Sequence, residues 1–191
     1  MTRWLLLDYG QVLSEAPPAD EWAQLQEAAG YRDADSFYRT YWEHRGPYDR
    51  GDLSFDAYWD LVAPGRTGDV KRLDNAIWLH PHQPSVDAAL ASRKAGWRLA
   101  ILSNAPVEVA KEIDRREWLR DFEIRFFSCH LRRVKPEPEI YADVLAGLSV
   151  EAPDVVFFDD RQENVDAARR AGIDGRLFTR AEQLVLPPPR P

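Results

Sequence analysis

Cysteine is almost missing from this sequence, since Cys129 is the only one among 191 residues. A single thiol cannot form an intramolecular disulfide, and it cannot build the thiolate clusters that hold structural metals. Such sparing use of cysteine is typical of proteins from a reducing compartment. The sequence therefore excludes a disulfide-stabilised fold and a cysteine-rich metal centre.

Long apolar runs are missing as well. The apolar stretch near the N-terminus, Leu5-Leu6-Leu7, stops at Asp8, whereas a membrane-spanning helix needs about 20 apolar residues. The stretch is also too short for the apolar region of a signal peptide. We therefore expect a cytoplasmic protein with no membrane partner.

The chain has fewer positively charged than negatively charged residues. The chain has 25 lysines and arginines against 32 aspartates and glutamates, which gives a formal net charge of −7. The basic residues form no stripe or block, and nucleic-acid binders need clustered cations to contact phosphates. The sequence predicts no nucleic-acid partner.

Short apolar strands alternate with helical patterns over most of the chain, which predicts an α/β fold. Alternation of this kind is typical of a Rossmann-like, doubly wound parallel sheet with right-handed crossovers. We assign residues 1–14 and 83–191 to this α/β core domain. The proline-rich tail from Leu186 onward predicts a disordered end. The sheet has about five predicted strands, at residues 5–8, 98–103, 124–129, 154–159 and 175–179.

Between the first strand and the rest of the core the pattern is helical throughout, and we expect residues 15–82 to form a small helical-bundle cap domain. Insertions in this position cover sites. We interpret four of its tryptophans as bundle core rather than as a platform for sugars: Trp22, Trp42, Trp59 and Trp78. Four helices are predicted here, beginning near Asp20, Asp35, Ser54 and Asp69.

Polar residues follow several predicted strands at the point where each strand ends. The carboxyl ends of parallel strands lie on one edge of a sheet, so these side chains are expected to meet. Together they offer oxygens for Mg²⁺ and donors for a phosphate, which suits phosphoryl transfer. The residues are Asp8 at the end of the first strand, Ser103 and Asn104 at the end of the second, Lys135 in the third connection, and Asp159 and Asp160 at the end of the fourth.

Each of these residues also has an ordinary structural interpretation. Asp8 could form a turn, Ser103 and Asn104 could cap the following helix, and Lys135 could be a solvated surface side chain. The adjacent acids at 159 and 160 are harder to explain in that way, because like charges at a sheet edge repel unless a cation neutralises them.

Four motifs resemble those of the haloacid dehalogenase superfamily, and the resemblance covers almost the whole chain. The motifs are LLLDYGQVLS, LAILSNAP, RVKPEPEIY and VVFFDDRQENVDAARRAG. The last is similar to the motif of the magnesium-dependent phosphatases in that superfamily. The inserted helices match the small helical cap that one subclass carries between the first and second motifs.

The resemblance implies a role for each strand-end residue. Asp8 would be the nucleophile, and Ser103 and Asn104 would hold the transferring phosphoryl group. Lys135 would neutralise charge on Asp8 and on the phosphate. Asp160 would be the main ligand of a magnesium ion, with Asp8 and the backbone carbonyl of Gly10 as further ligands. Asp159 would either contact these ligands from behind or serve as an alternate ligand.

The chain departs from the phosphatase pattern at Gly10, where the pattern has a second aspartate that acts as general acid and base. That assistance is worth about 10²- to 10⁴-fold in rate. The resemblance includes a branch of sugar-phosphate phosphatases with Asp-x-Gly at this place. Loss of the acid is therefore expected to slow the reaction with poor leaving groups without abolishing it.

These observations predict a Mg²⁺-dependent phosphomonoester hydrolase that acts on a small phosphorylated metabolite, such as a sugar phosphate, through an aspartyl-phosphate at Asp8. Residues 44–52 of the cap mix cations, an aromatic residue and turn formers, and we expect Arg45 or Tyr48 to contact the leaving group. A 2-haloacid dehalogenase and a catalytically weak phosphate-binding or interaction module are the alternatives. A monomer or a homodimer is expected.

Overall fold

The computed structural model describes residues 3–66 and 68–189. Its centre is a parallel five-stranded sheet with the strand order β3-β2-β1-β4-β5. The predicted Rossmann-like α/β fold is therefore confirmed. The strands are β1 (Trp4–Leu7), β2 (Arg98–Ser103), β3 (Phe122–Phe127), β4 (Val155–Asp159) and β5 (Asp174–Leu177).

Helices precede and follow the strands in the described part of the chain. None of the helices there combines the length and the apolar composition that crossing a membrane requires. The α-helices are α1 (Ala19–Ala28), α2 (Ala34–Glu43), α3 (Arg45–Asp49), α4 (Phe55–Val62), α5 (Val70–Ala76), α6 (Gln83–Lys94), α7 (Val107–Asp114), α8 (Ser128–Leu131), α9 (Pro138–Leu148) and α10 (Gln162–Arg170), with 3₁₀ turns at Glu117–Leu119, Ala152–Asp154 and Ala181–Leu184.

The sheet is covered on both faces, because successive side chains of a strand point in opposite directions. Leu5 and Leu7 of β1 pack in a cluster with residues of α6 and α7. Trp4 and Leu6 pack on the other face with residues of α9 and α10. Strands buried on both faces read as continuous apolar runs, which is why they could be recognised in the sequence.

Helices α1 to α5 lie between β1 and α6 and form what we call the helical insertion. They enclose a separate apolar cluster that includes Phe37, Tyr41 and Trp59. A bridge between Ser14 and Pro81 joins the two segments that lead into and out of the insertion. Four helices were predicted here, and that count is wrong because α3 forms a short additional helix where we expected a loop.

Helix starts were predicted with mixed success. Ser54 caps α4, and its hydroxyl accepts a hydrogen bond from the Ala57 N–H. For α2 the cap is Asp33 and not Asp35, since the Asp33 carboxylate accepts from the Ser36 N–H at 2.7 Å. Asp20 lies inside α1. Acidic residues in a first turn interact favourably with the helix dipole, so they resemble caps in a sequence.

The tail was predicted to be disordered, and this prediction is wrong up to Pro189. Leu186 is buried and its N–H donates to Ser92 Oγ at 2.7 Å. The Trp97 indole donates to the carbonyl of Pro187 at 2.8 Å. Both partners belong to the α6–β2 region, so the tail covers one edge of the core. Positions 190 and 191 lie outside the described residues.

Candidate active site

The loops after β1, β2 and β4 and the segment before α9 meet at one edge of the sheet. They border a cavity of about 460 Å³. The predicted strand-end residues that line it are Asp8, Gly10, Ser103, Asn104, Lys135 and Asp160, while Asp159 lies directly behind Lys135. The helical insertion closes the opposite side.

Lys135 is the buried cation of this cavity. Its ammonium lies 2.7 Å from Asp8 Oδ1 and 2.7 Å from Asp159 Oδ2, and it also donates to the Leu102 carbonyl at 3.0 Å. Burial alone would lower the pKa of this ammonium, but the charges of Asp159 and Asp8 outweigh it and raise the pKa. Lys135 is therefore a permanent positive charge between two carboxylates.

Asp8 is held by one of its two oxygens. Oδ1 accepts from the Tyr9 N–H at 2.7 Å and lies against Lys135, and neither contact uses Oδ2. Burial raises the pKa of Asp8 to about 7, Lys135 opposes this rise, and the charges of Asp159 and Asp160 reinforce it. A cation bound beside Asp8 would favour the ionised carboxylate.

Asp159 and Asp160 differ in their surroundings although they are adjacent. Asp159 is fully buried, and its Oδ1 accepts from the Arg161 N–H and from Asn164 Nδ2, each at 2.9 Å. Asp160 is half-buried and borders the cavity, and burial followed by the charge of Asp159 raises its pKa. Asp160 is thus the carboxylate that is better placed to receive a ligand.

The three carboxylates fit a magnesium ion. Oxygens of Asp8, Asp159 and Asp160 all lie within 4.8 Å of one another, and carboxylate oxygens are the protein ligands that Mg²⁺ prefers. With Lys135 as their only ion-pair partner in the described chain, they leave negative charge to be neutralised. Asn164 Oδ1 is buried without a hydrogen-bond partner among the described residues, and it faces the same cavity.

Asn104 joins two of the loops. Its Nδ2 donates to the Lys135 carbonyl at 2.9 Å, and its Oδ1 accepts from the Lys135 N–H at 2.8 Å. This reciprocal pair fixes the backbone that carries the Lys135 ammonium. Ser103, at the end of β2, borders the cavity beside it. The structure therefore gives the Asn104 amide a positioning role in addition to its place in the lining.

The turn after β1 contains a residue in the left-handed region. Gln11 has a φ of 58°, which is uncommon for residues other than glycine. Gly10 does not adopt positive φ, although a glycine is the usual residue in such turns. Strained backbone of this kind is concentrated at functional sites.

Arg45 and Tyr48 lie on α3, which contacts the core close to the cavity. Ser128 Oγ donates to the Asp49 carbonyl and accepts from the Ala105 N–H, so α3 is held beside the loop that follows β2. Arg45 borders the cavity and is buried, with its Nε donating to Asp49 Oδ1 at 2.8 Å.

Tyr48 is not among the residues that border the cavity. Its ring stacks on Tyr58 with 4.3 Å between the ring centroids, and its hydroxyl donates to Glu108 at 3.2 Å. Of the two residues predicted to contact the leaving group, Arg45 borders the cavity and Tyr48 does not.

The tryptophans of the helical insertion are divided between two environments. Trp59 is buried in the apolar cluster, as predicted for all four. Trp22 and Trp78 are half-buried, pack against the same cluster and also border the cavity. The prediction is wrong for Trp42, which is 39% exposed and borders the cavity together with Tyr38. A sequence shows that aromatic residues recur at helical spacing, but it does not show which helix face remains open after packing.

Asn164 and Asp49 are among the polar residues that border the cavity and were assigned no role from the sequence, although Asn164 lies in the fourth motif and Asp49 lies within residues 44–52. Asn164 lies in the first turns of α10, five positions after Asp159, and this spacing was a usable signal because it brings the amide back toward the strand end. Asp49 gave no such signal. Its carboxylate reaches the cavity because α3 is helical, and that helix was not predicted.

A family model described as haloacid dehalogenase-like hydrolase matches residues 12–172. Among curated proteins, a phosphorylated carbohydrates phosphatase of Thermotoga maritima is 38% identical over 78 residues, or 40% of this chain and 36% of its own. Flavin mononucleotide hydrolase 1 of Arabidopsis thaliana is 42% identical over 59 residues, or 31% of this chain and 24% of its own. The matched regions are well under two thirds of these relatives.

Among solved structures, a HAD family enzyme of Bacteroides thetaiotaomicron, crystallised with magnesium and inorganic phosphate, superimposes with a TM-score of 0.76. It covers 94% of this chain and 95% of its own, at 19% sequence identity. Likeness at this level of identity concerns the fold.

Proposed function

Because this chain belongs to the haloacid dehalogenase-like hydrolase family, we propose that it hydrolyses phosphate monoesters of small metabolites with Asp8 as the nucleophile. The observation that carries this proposal is the grouping of Asp8, Lys135 and Asp160 on one cavity wall. It brings together a nucleophile, a fixed cation and a free carboxylate, which is what transfer of a charged phosphoryl group requires.

In the first step, Asp8 Oδ2 attacks phosphorus while the ester P–O bond breaks, so that the alcohol leaves and Asp8 carries the phosphoryl group. Lys135 and the Tyr9 N–H hold Asp8 Oδ1, and neither contact uses Oδ2. Asn104 fixes Lys135 through its backbone. Ser103 is proposed to donate its hydroxyl proton to a phosphoryl oxygen, and the contact of Asn104 with phosphate remains a prediction.

In the second step, water attacks the phosphorus of the aspartyl-phosphate, the bond to Asp8 breaks, and inorganic phosphate leaves. In the first step, because Gly10 stands in place of an acidic residue, the leaving alcohol takes its proton from water or from a group of the helical insertion. Closure of the cavity by the insertion, acting as a cap, would limit the access of bulk water to the intermediate.

We propose that Asp8, Asp160 and the Gly10 carbonyl would hold Mg²⁺, with Asp159 either behind these ligands or as an alternate ligand. When bound, the ion would neutralise charge on the phosphoryl oxygens. The names of the relatives, a phosphorylated carbohydrates phosphatase and a flavin mononucleotide hydrolase, support a small phosphorylated substrate. Arg45 is the proposed contact to its leaving group.

The test is hydrolysis of para-nitrophenyl phosphate by the purified protein with Mg²⁺, with a chelator, and by the Asp8→Asn variant. This ester has a good leaving group and needs little proton donation, so it suits a site with Gly10. We expect phosphate release that requires both the metal and Asp8.

A folding control accompanies the variant, since Asn has nearly the shape of Asp but cannot form the ion pair with Lys135. The circular dichroism and the unfolding transition of Asp8→Asn should show a folded protein. Full activity of Asp8→Asn, or release of halide from a 2-haloacid in the presence of chelator, would contradict the proposal.

A further inference from the structure

The cavity has two chemically distinct halves. The half formed by the sheet edge carries the charged and polar groups, whereas the half formed by the helical insertion is mainly aromatic. Building on the proposed function, we propose that the aromatic half binds a flat ring of the leaving group, so that the preferred substrates are phosphate monoesters of alcohols carrying an aromatic or heteroaromatic ring. We call Trp22, Tyr38, Trp42 and Trp78 the aromatic wall.

The aromatic wall is open although its residues are large and apolar. Tyr38 is 56% exposed and Trp42 is 39% exposed, while Trp22 and Trp78 are half-buried. Large apolar side chains that remain exposed next to one another mark a binding surface more often than scattered ones do. Here they border the same cavity as the proposed nucleophile, so the occupant is the part of the substrate that is attached to the phosphate.

The rings form a continuous series. The ring centroids of Trp22 and Tyr38 are 6.2 Å apart, those of Tyr38 and Trp42 are 6.1 Å apart, and those of Trp42 and Trp78 are 6.1 Å apart. These distances lie within the range at which aromatic rings attract one another. A ring of the substrate that binds here would therefore contact the faces and edges of several of these side chains at once.

Arg45 fixes part of the aromatic wall before any ligand arrives. Its guanidinium lies 6.0 Å from the Trp42 ring centroid and 5.4 Å from that of Trp78. The guanidinium is held by ion pairs with Asp49 at 2.8 Å and with Asp74 at 3.5 Å. Rings that are ordered in advance lose little conformational freedom on binding, which favours affinity.

The polar groups of this half favour a flat ring over a sugar. The insertion contributes the Tyr38 hydroxyl, the three indole N–H groups of the aromatic wall, Arg45 and Asp49 to the polar lining. Arg45 and Asp49 are bonded to each other, and the Trp78 indole donates to the Tyr41 hydroxyl at 3.3 Å. The hydroxyls of a sugar would lose their hydrogen bonds to water here and find few partners in return. A ring that needs no such partners avoids this cost.

The cavity is also of a suitable size. Its volume of about 460 Å³ lies in the range of pockets for drug-sized ligands, roughly 300–1,000 Å³. One water occupies about 30 Å³, and a phosphate is only a few times larger. A phosphate alone would therefore leave much of the cavity to be filled. A phosphate that carries one or two rings would use both halves.

The experiment compares two phosphonates that the enzyme cannot hydrolyse, benzylphosphonate and cyclohexylmethylphosphonate. They present the same anion and rings of similar size, but only the first ring is flat and aromatic. Titration calorimetry in the presence of Mg²⁺ gives the two dissociation constants without depending on turnover. We expect the Kd of benzylphosphonate to be about 3- to 10-fold lower, which is the range for one aromatic contact.

Variants locate the contact. Trp42→Leu keeps an apolar side chain and removes the aromatic face, and we expect it to abolish most of the discrimination between the two phosphonates. Leu61→Ala is the matched control, because Leu61 is also exposed on the helical insertion, at 48%, but is not among the residues that border the cavity. This control should keep the wild-type ratio of the two constants.

The outcomes separate this inference from the proposed function. Equal dissociation constants in the wild type, or unchanged discrimination in Trp42→Leu, would overturn the aromatic subsite and leave the phosphatase intact. Lack of para-nitrophenyl phosphate hydrolysis would overturn the phosphatase, while the calorimetric ratio would still report on the subsite. A lower Kd for benzylphosphonate that depends on Trp42 would support the inference.

Discussion

Position 10 has room for a side chain that the protein does not use. Among the described atoms, nothing lies within 4 Å of a Cβ placed on Gly10, and its φ is not positive. A larger residue would therefore fit at position 10, which borders the cavity together with Asp8. Lack of space therefore does not explain why position 10 has no acidic side chain.

We expect Gly10→Asp to raise kcat for phosphate esters with poor leaving groups by about 10²-fold or more, because general acid assistance is worth about 10² to 10⁴. Hydrolysis of para-nitrophenyl phosphate should change little, since its leaving group needs no proton. Steady-state kinetics on benzyl phosphate and para-nitrophenyl phosphate measure both effects.

Gly10→Asn is the control, because it has the same shape without a transferable proton. If Gly10→Asn accelerated benzyl phosphate hydrolysis as much as Gly10→Asp, the gain would come from packing or metal binding and not from proton donation.

For individual residues, the sequence predicted where the side chains proposed for the chemistry lie, but it did not predict what each of them contacts. Asp8, Ser103 and Asp160 follow strands, and the edge of a parallel sheet brings such positions together. The pairing of Asn104 with the Lys135 backbone depends on two loops that are 31 residues apart. Long-range contacts of this kind leave no local pattern in a sequence.

Of the structural elements, the tail after the last 3₁₀ turn allows the clearest test of a contribution to the free energy of unfolding. We expect Leu186→Ala to lower the free energy of unfolding by about 2–5 kcal/mol, the usual cost of removing a buried leucine side chain. Leu186 is 7% exposed, whereas the neighbouring Val185 is 54% exposed. Equilibrium unfolding in urea measures the difference.

Val185→Ala is the matched control and should change the free energy of unfolding by no more than about 0.5 kcal/mol. Similar losses for the two variants would mean that the tail does not contribute to the core through Leu186.

The elements also show how far a local pattern can be trusted. The buried strands and the helix that begins at Ser54 were predicted because apolar runs and a capping hydroxyl are local signals. The tail was misjudged because its proline content suggested disorder, while its partners, Ser92 and Trp97, lie about 90 residues earlier. The short helix α3 was missed because five residues give too little periodicity to detect.

For the whole molecule, the excess of buried negative charge at the sheet edge predicts that Mg²⁺ stabilises the fold. A ligand at about 100 times its Kd adds about 2.7 kcal/mol, which for a chain of this size corresponds to a rise in Tm of about 5–10 °C. Thermal unfolding with and without MgCl₂ measures this rise, and excess chelator should reverse it.

Asp160→Asn should lose most of the shift, since it removes a carboxylate that borders the cavity, whereas Asp8 and Asp159 are already paired with Lys135. KCl at matched ionic strength should not reproduce it. An equal rise with KCl, or an undiminished rise in Asp160→Asn, would point to general salt effects and away from a specific site.

Because two separate parts of the chain line the cavity, the groups proposed for the chemistry and the aromatic wall could change independently in evolution. The groups proposed for the chemistry lie on loops of the sheet edge, and the aromatic wall lies within residues 22–78 of the helical insertion. Mutation in one segment can alter ester preference while the other keeps its geometry. A directed-evolution library randomised at Tyr38 and Trp42, the two exposed positions of the aromatic wall, would therefore explore new substrates at little risk to turnover.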